Sequence, residues 1–430
     1  MLANTQFVTR EPGVGKWRQK WWSLWDNADC EVCNYPKRGH HMELYPHLLS
    51  FIKEIAPTWR KTQLVNLALL AQAIFRRRSL VLTELARAYP VPNERKVDCP
   101  KHGLLYRVKR IWRFLANPRL DHEALMLRLA RLSCSVSKSP GLLLPILVDL
   151  TYFEPFAVLS ANIPRNGRAL PVAWRVFRRD LEEESELSQN LIVQALIKQT
   201  LSRLVEAIDT VIVADREFAS AAFFRFLKKL RTVFTIRVDA ETWVVHPRYS
   251  GPLGEIGLQP GGRRIWLEGA LYGKEEREPV NLLAVWEVGQ REPWFIASQL
   301  DDPKLVERLY RKRMKIEHGY RDWKHHLRLK GTPKVKSAKQ LGELVVGVVL
   351  LYWYLCLLGI RNARSNLVRE VCSWGKLGDF KLGMELVALG HEAVPKASHR
   401  LLSWVADKLS YLAPLPPLYK WRYIRYRVIR

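Results

Sequence analysis

A change of hydrophobic period near residue 140 limits the possible folds more than anything else in this sequence. Before it, apolar residues recur at helical spacing over 44–55, 62–75, 81–88, 104–114 and 121–132. After it, the apolar runs are extended. Residues 141–153 read as a buried strand carrying one acid, Asp149, and 156–161 and 169–177 read as further strands across a turn from Pro164 to Gly167. A helix over 187–208 follows, then a strand from 210 that ends on Asp215, a helix over 219–230 and a strand over 232–238. Strand meander, helix, strand, helix, strand is an α/β order. Open sheets of this kind carry their sites at the carboxyl ends of strands, and a carboxylate in an apolar run has to be paired or put to use. Asp149 and Asp215 are therefore candidate site residues, the lesser alternative for Asp215 being the N-cap of the helix that follows.

A third acid comes from the segment 310–324. Tyr310, Arg313, Glu317 and Lys324 are spaced so that, at roughly 100° per residue on a regular helix, they share an arc of about 60°. Leu305, Leu309, Ile316, Trp323 and Leu327 form a second stripe roughly 90° away, the side to be buried. A carboxylate flanked by a phenol, a guanidinium and an ammonium suits a place where a metal ion and a phosphate meet, since the acid holds the cation and the bases hold the anion. A solvated face with i,i+4 ion pairs would use the same residues, so the segment alone leaves both readings open.

The charge balance favours the first. With 69 Lys+Arg against 42 Asp+Glu the formal charge is +27, more than solubility requires, and a polyanionic partner explains it economically. Residues 304–339 hold thirteen Lys/Arg against Glu307, Glu317 and Asp322. From Lys420 to Arg430 the chain holds five more with no acid, interleaved with Trp421, Tyr423 and Tyr426, which suits stacking on bases. Nucleic acid is the first candidate, and a ribosome-associated or membrane-surface protein would also be this basic. A chain of 430 residues with 48% hydrophobic content has room for several ordinary cores. Six cysteines are too few for a disulfide framework and the N-terminus lacks a signal-peptide core, so the expected location is cytoplasmic. Residues 344–360 carry no charge, but Tyr352, Trp353 and Tyr354 lie in the middle of the run, where an aromatic belt would not place them, and a buried core helix is expected. Cys30, Cys33, His40 and His41 supply only part of a zinc-site spacing. Residues 1–41 are read as an irregular N-terminal extension without metal.

Over 42–135 the helical pattern includes a short helix at 81–88 followed by a basic one bearing Arg107, Lys109, Arg110 and Arg113. Short helix then basic helix is the order of a helix-turn-helix reader, with a longer connector than usual. Arg107, Lys109 and Arg113 are candidate DNA contacts; a plain helical bundle is the alternative.

Asp149, Asp215 and Glu317 are thus three acids from two strands and one helix in a strongly basic chain. In this the sequence resembles the DDE transposases of bacterial insertion sequences, in the subgroup marked by Y-x2-R-x3-E-x6-K, here Tyr310, Arg313, Glu317 and Lys324. Asp215-Arg216-Glu217 after an apolar strand and Val148-Asp149 resemble the motifs of the first two acids. The likeness runs from about residue 60 to the end. It implies a multidomain α/β chain with a ribonuclease-H-like catalytic core over 136–238 and 301–340, and a β-rich insertion over 239–300. Around these would lie a helical DNA-end-binding region over 42–135 and a helical region over 341–430 with a basic tail.

By the same resemblance, two Mg²⁺ ions about 4 Å apart, replaceable by Mn²⁺, would be held by Asp149, Asp215 and Glu317 and would activate water or a DNA 3′-hydroxyl for in-line attack at phosphorus. Tyr310, Arg313 and Lys324 would grip phosphates of the transposon end, which similar enzymes free through a DNA hairpin. Trp294 stands where such proteins stack a flipped base, with Trp286 as the competitor. The implied partners are double-stranded DNA, both element ends and target, and a second copy of the chain once DNA is bound. The implied setting is the bacterial cytoplasm, at the nucleoid. A non-catalytic DNA-binding derivative and a ribonuclease-H-like nuclease that cuts without joining are the alternatives.

Overall fold

The computed structural model describes residues 44–89, 100–137, 143–179, 186–204, 210–327, 329, 335–364, 377–388 and 393–410. The chain divides into two units, Met1–Met42 and Glu43–Arg430, and every described residue belongs to the second. The expectations for Cys30, Cys33, His40, His41 and the basic tail from Lys420 lie outside the described residues.

The extended runs after residue 140 form β1 (Leu144–Phe153), β2 (Phe156–Arg165) and β3 (Arg168–Arg178), an antiparallel meander. Asn166 and Gly167 both have positive φ (30° and 82°), which is the two-residue turn that matches strand twist in a hairpin and explains Asn-Gly at this point. A register shift at Ala161/Asn162 lies opposite Pro171, which has no N–H to give the ladder; its carbonyl instead accepts Trp353 Nε1 at 2.7 Å. β4 (Thr210–Ala214) and β5 (Val233–Val238) continue the sheet in parallel, β4 beside β1 and β5 beside β4. Between β3 and β4 runs α6 (Glu186–Arg203), and α7 (Ala221–Lys229) crosses from β4 to β5. Residues 239–300 carry β6 (Trp243–His246), β7 (Tyr249–Pro252), β8 (Ile265–Tyr272), β9 (Glu278–Val285) and β10 (Trp294–Ser298). They lengthen the same sheet through β10, which pairs antiparallel with β5 (Ile296 opposite Arg237). The ten strands run β3-β2-β1-β4-β5-β10-β9-β8-β6-β7. The result is a mixed α/β architecture with one large sheet and flanking helices, consistent with a ribonuclease-H-like fold.

The early helical pattern gives α1 (Leu44–Ile55), α2 (Lys61–Arg77), α3 (Leu82–Ala88), α4 (Pro100–Leu115) and α5 (His122–Ser137). After the sheet come α8 (Pro303–Arg311), α9 (Met314–Arg321), α10 (Ala338–Asn362), α11 (Asp379–Ala388) and α12 (Ala393–Ser410). The uncharged run lies in α10. Its length and composition would allow a membrane crossing, yet almost all of it is buried inside the fold, against α1, α2, α11, α12 and β3. Trp353, Tyr352 and Tyr354 are among the largest fully buried side chains of the protein, and the Tyr354 hydroxyl meets Ser398 Oγ at 2.6 Å. Because α1 and α2 share this core with α10, the first helices are part of the packing that holds the sheet.

α10 and α11 touch backbone to backbone. A Cβ built on Gly383 would stand 1.9 Å from the Leu355 carbonyl oxygen, and one on Gly359 would stand 1.9 Å from that of Asp379. Neither obstacle is a movable side chain, so the helices themselves would have to part. Gly383→Ala is expected to destabilise the protein by about 3 kcal/mol, the upper end of overpacking costs. A denaturant titration reads this directly, and a variant as stable as the parent would contradict the backbone contact.

The segment expected as one regular helix over 305–327 is not regular. From 309 to 316 its hydrogen bonds tighten to i→i+3, as in Lys312 N to Leu309 O (3.0 Å), Arg313 N to Tyr310 O (2.8 Å) and Ile316 N to Arg313 O (2.9 Å). At Asp322–His326 it widens to a π turn, with Leu327 N donating to Asp322 O at 2.8 Å. Tightening advances the side-chain phase and widening retards it, so the two departures offset each other. The apolar stripe is buried at Leu309, Ile316, Trp323 and Leu327, with Leu305 half-buried.

Candidate active site

Strand register brings the first two acids together. β1 and β4 pair in parallel as far as Val148 opposite Ala214, so Asp149 and Asp215 are the next residues on adjacent strands, at the carboxyl side of the pairing. Asp149 is 7% exposed. Asp215 leaves β4 in extended conformation and its Oδ1 accepts the Arg216 amide at 2.8 Å, capping the short 3₁₀ turn Arg216–Phe218. The capping role and the site role fall on one residue: Oδ1 caps the turn and Oδ2 is left to face the site.

The third acid arrives on α9. Tyr320, one turn beyond Glu317, donates its hydroxyl to the Asp149 carbonyl at 3.0 Å and lies 2.7 Å from Ser160 Oγ, which receives Asn162 Nδ2 at 2.7 Å. This buried chain runs from β2 through the helix to the strand bearing Asp149, and it fixes where Glu317 stands. Arg313 then closes the cluster. One guanidinium reaches Asp149 Oδ2 at 3.3 Å, Asp215 Oδ2 at 2.7 Å and Glu317 Oε1 at 2.5 Å, in a residue only 8% exposed. Tyr310 donates to Asp215 Oδ1 at 3.4 Å.

Three carboxylates around one guanidinium leave an excess of negative charge in a largely buried place. Burial raises Asp149 to about 6; Arg313 and the Leu150 amide work against the rise, while Asp215 and Glu317 add to it. Burial alone would lower Arg313, but Asp149, Asp215, Tyr310 and Glu317 outweigh it and hold the guanidinium charged. Burial also raises Tyr310, helped by Asp215. Lys324 is half-buried; burial lowers its pKa and nearby Asp149 resists.

The donor set is all carboxylate oxygen, the chemistry that hard divalent cations such as Mg²⁺ and Mn²⁺ take. Among the described residues no three acidic, histidine or cysteine side chains stand close enough to hold one ion as they are placed. The two observations agree once Arg313 is considered, because the acids are spaced to bracket a guanidinium. The space between them is taken by the guanidinium. The residues therefore fit a divalent ion with Arg313 withdrawn from among them.

Around this cluster lie further groups. Trp294, at the start of β10, is half-buried and meets the Tyr310 ring edge-on at 5.1 Å, with the Arg311 guanidinium 5.5 Å over its own ring. Trp286 sits instead in its own loop, Nε1 donating to Gln290 O at 3.1 Å. Arg237 on β5 lies against the Tyr310 hydroxyl and pairs with Glu292 at 2.6 Å. Glu217, next but one to Asp215, lies against Tyr152.

Residues 190–353 match the family model of the transposase DDE domain. The match supports a DDE transposase. It takes in Asp215, Trp294, Tyr310, Arg313, Glu317 and Lys324 and stops short of Asp149, which the sheet itself brings beside Asp215. No curated protein matches the chain.

The N-terminal candidates lie elsewhere, on α4, which packs against α2, α3 and α10. Lys109 and Arg113 are exposed one turn apart, on a face shared with the exposed Tyr106 and Trp112. Arg107 is half-buried on another side of the helix, and Arg110 is engaged inward with Asn66 at 3.1 Å. Tyr106, Trp112, Arg237 and Tyr320 escaped the sequence reading. Only Tyr320, three residues after Glu317, carried a signal that spacing could have raised.

Proposed function

We propose that this chain is a cut-and-paste DNA transposase. It binds the terminal inverted repeats of its element, cleaves the ends by metal-dependent phosphoryl transfer through a DNA hairpin, and joins them to target DNA as a homodimer in the bacterial cytoplasm. The observation that carries this reading is the convergence of Asp149, Asp215 and Glu317 on one buried guanidinium beside two adjacent parallel strand ends, in a chain of charge +27.

Asp149, Asp215 and Glu317 are the residues that would hold Mg²⁺, or Mn²⁺ in its place. Bound there, such ions would supply Lewis acidity for the attacking and leaving oxygens. Arg313 exchanges its carboxylate partners for phosphate as DNA enters, which places its fork on a bidentate acceptor of the same geometry. Tyr310 orients Asp215 and lines the approach, and Lys324 neutralises a phosphate beside Asp149. Lys109 and Arg113, with Tyr106 and Trp112, present α4 to the DNA end.

Trp294 is the shelf for an extruded base, since its edge contact with Tyr310 puts it beside the acids. Trp294→Ala is expected to slow hairpin formation or opening at least tenfold while sparing the first nick, and an abasic nucleotide at the flipped position restores part of the rate. Equal slowing of every step together with a lower melting temperature would assign Trp294 to packing instead.

The test of the whole reading is a supercoiled plasmid carrying the DNA that flanks this gene on both sides, incubated with the protein and Mg²⁺. A transposase releases a fragment with hairpin or 3′-hydroxyl ends and joins it to a second plasmid. Cleavage without joining would make it a nuclease, and binding without cleavage a DNA-binding derivative.

A further inference from the structure

Behind the catalytic helix lies a second charged cluster that the proposed chemistry does not use. Asp322 is 1% exposed and forms an ion pair with Arg168, the first residue of β3 after the Asn166-Gly167 turn. His326 Nε2 approaches the same carboxylate at 3.6 Å, and the Tyr352 hydroxyl lies beside it. Burial raises Asp322 to about 6 against the pull of Arg168. Burial, with Lys381 and Arg168 adding to it, lowers His326 to about 4, so Arg168 and not His326 supplies the opposing charge at neutral pH. A pair this deep is not explained by stability, since apolar residues of the same volume would serve as well or better.

Its position in the chain suggests what it does. Asp322 is the residue at which the helix widens: its carbonyl takes the i+5 bond from Leu327 N, and the π turn Asp322–His326 contains Lys324 two residues on. Widened turns are costly and concentrate where side chains must be aimed. The β2–β3 turn grips this helix twice, through Arg168 on Asp322 and through Gly167 O on His318 Nδ1 at 3.2 Å. We propose that Asp322 is a positioning residue: anchored by Arg168, it fixes the π turn and thereby sets Lys324 beside Asp149, where the lysine takes a DNA phosphate. This rests on the reading of Lys324 as a phosphate contact.

The test is the salt dependence of binding to a linear duplex of mixed sequence, with EDTA present so that no cleavage intervenes. Each phosphate contact contributes a slope of about 0.9 in log K against log salt. Lys324→Ala is expected to lose one such contact. Asp322→Asn is expected to lose the same contact with Lys324 still present, and the double variant Asp322→Asn, Lys324→Ala to lose no more than either alone. Arg168→Gln, at the less buried end of the pair, is expected to reproduce the slope of Asp322→Asn and serves where that variant fails to fold. A merely structural role lowers the melting temperature without changing the slope. A slope at the parent value in Asp322→Asn and Arg168→Gln while Lys324→Ala loses its contact, or losses that add in the double variant, would overturn the positioning role alone. A parent slope in Lys324→Ala would overturn the phosphate contact and the positioning role with it.

Discussion

Asp149→Asn, Asp215→Asn and Glu317→Gln are each expected to reduce DNA cleavage by ~10³-fold or more while leaving affinity for the duplex nearly unchanged. The reason is the kind of change made. Each substitution keeps the shape and removes one negative charge from a cluster that holds three around a single guanidinium. DNA is gripped by cations, so loss of an acid does not weaken the grip, whereas loss of a metal-bound carboxylate removes the chemistry. The fold should also tolerate the changes. Burial disfavours the charged form of Asp149, and a neutral amide there leaves Arg313 with two remaining acids. A cleavage assay, a gel shift and a thermal melt on the three variants are sufficient. A variant that cuts at the parent rate leaves the site, and one that loses both binding and cleavage together with stability has revealed a structural role.

Arg313→Gln is expected to behave in the opposite way, and its effect needs no DNA. Removing the cation leaves three carboxylates facing one another inside the fold, and breaking a buried pair by deleting one partner costs about 3 kcal/mol or more. Here Glu317 is partly exposed and relieves some of that repulsion, so about 2–3 kcal/mol is the reasonable expectation in EDTA. Mg²⁺ or Mn²⁺ then offers what the guanidinium had supplied. The melting temperature of the variant should rise on adding the ion, and by several degrees more than that of the parent, because the parent must first give up its internal pair. Equal responses in parent and variant would mean that the ions bind somewhere other than around Arg313.

The sequence carried the order of the elements because period and composition carry it: helices to about residue 132, a meander, then strand and helix in alternation. It marked Asp149 and Asp215 because an acid in an apolar run is conspicuous, and the parallel register of β1 and β4 places them side by side. Arg313 is where local reasoning ran out. On a helical wheel it shares a face with Glu317 and invites a phosphate; the structure turns the whole guanidinium inward, and only the approach of β1 and β4 from elsewhere in the chain makes that possible. The same holds for Arg168 and Asp322, whose partnership spans the turn after β2 and the far end of α9. The tightened and widened turns between 309 and 327 have no composition signal: the first sets Tyr310 and Arg313 against Asp215 and Asp149, and the second sets Asp322 against Arg168 on β3, partners that lie far off in the chain. Only resemblance separates Trp294 from Trp286 in the sequence; the structure sets Trp294 against Tyr310, while Trp286 closes its own loop.

The measurement that bears most directly on the site is metal mapping by affinity cleavage. Fe²⁺ loaded in place of Mg²⁺, with ascorbate and peroxide, generates radicals that cut the polypeptide close to the bound ion. Fragments ending near Asp149, Asp215 and Glu317, suppressed by excess Mg²⁺ and absent in Asp215→Asn, are the expected result. Cuts concentrated elsewhere in the chain, or cuts at these three places that persist in Asp215→Asn, would show that the carboxylates around Arg313 do not hold the metal.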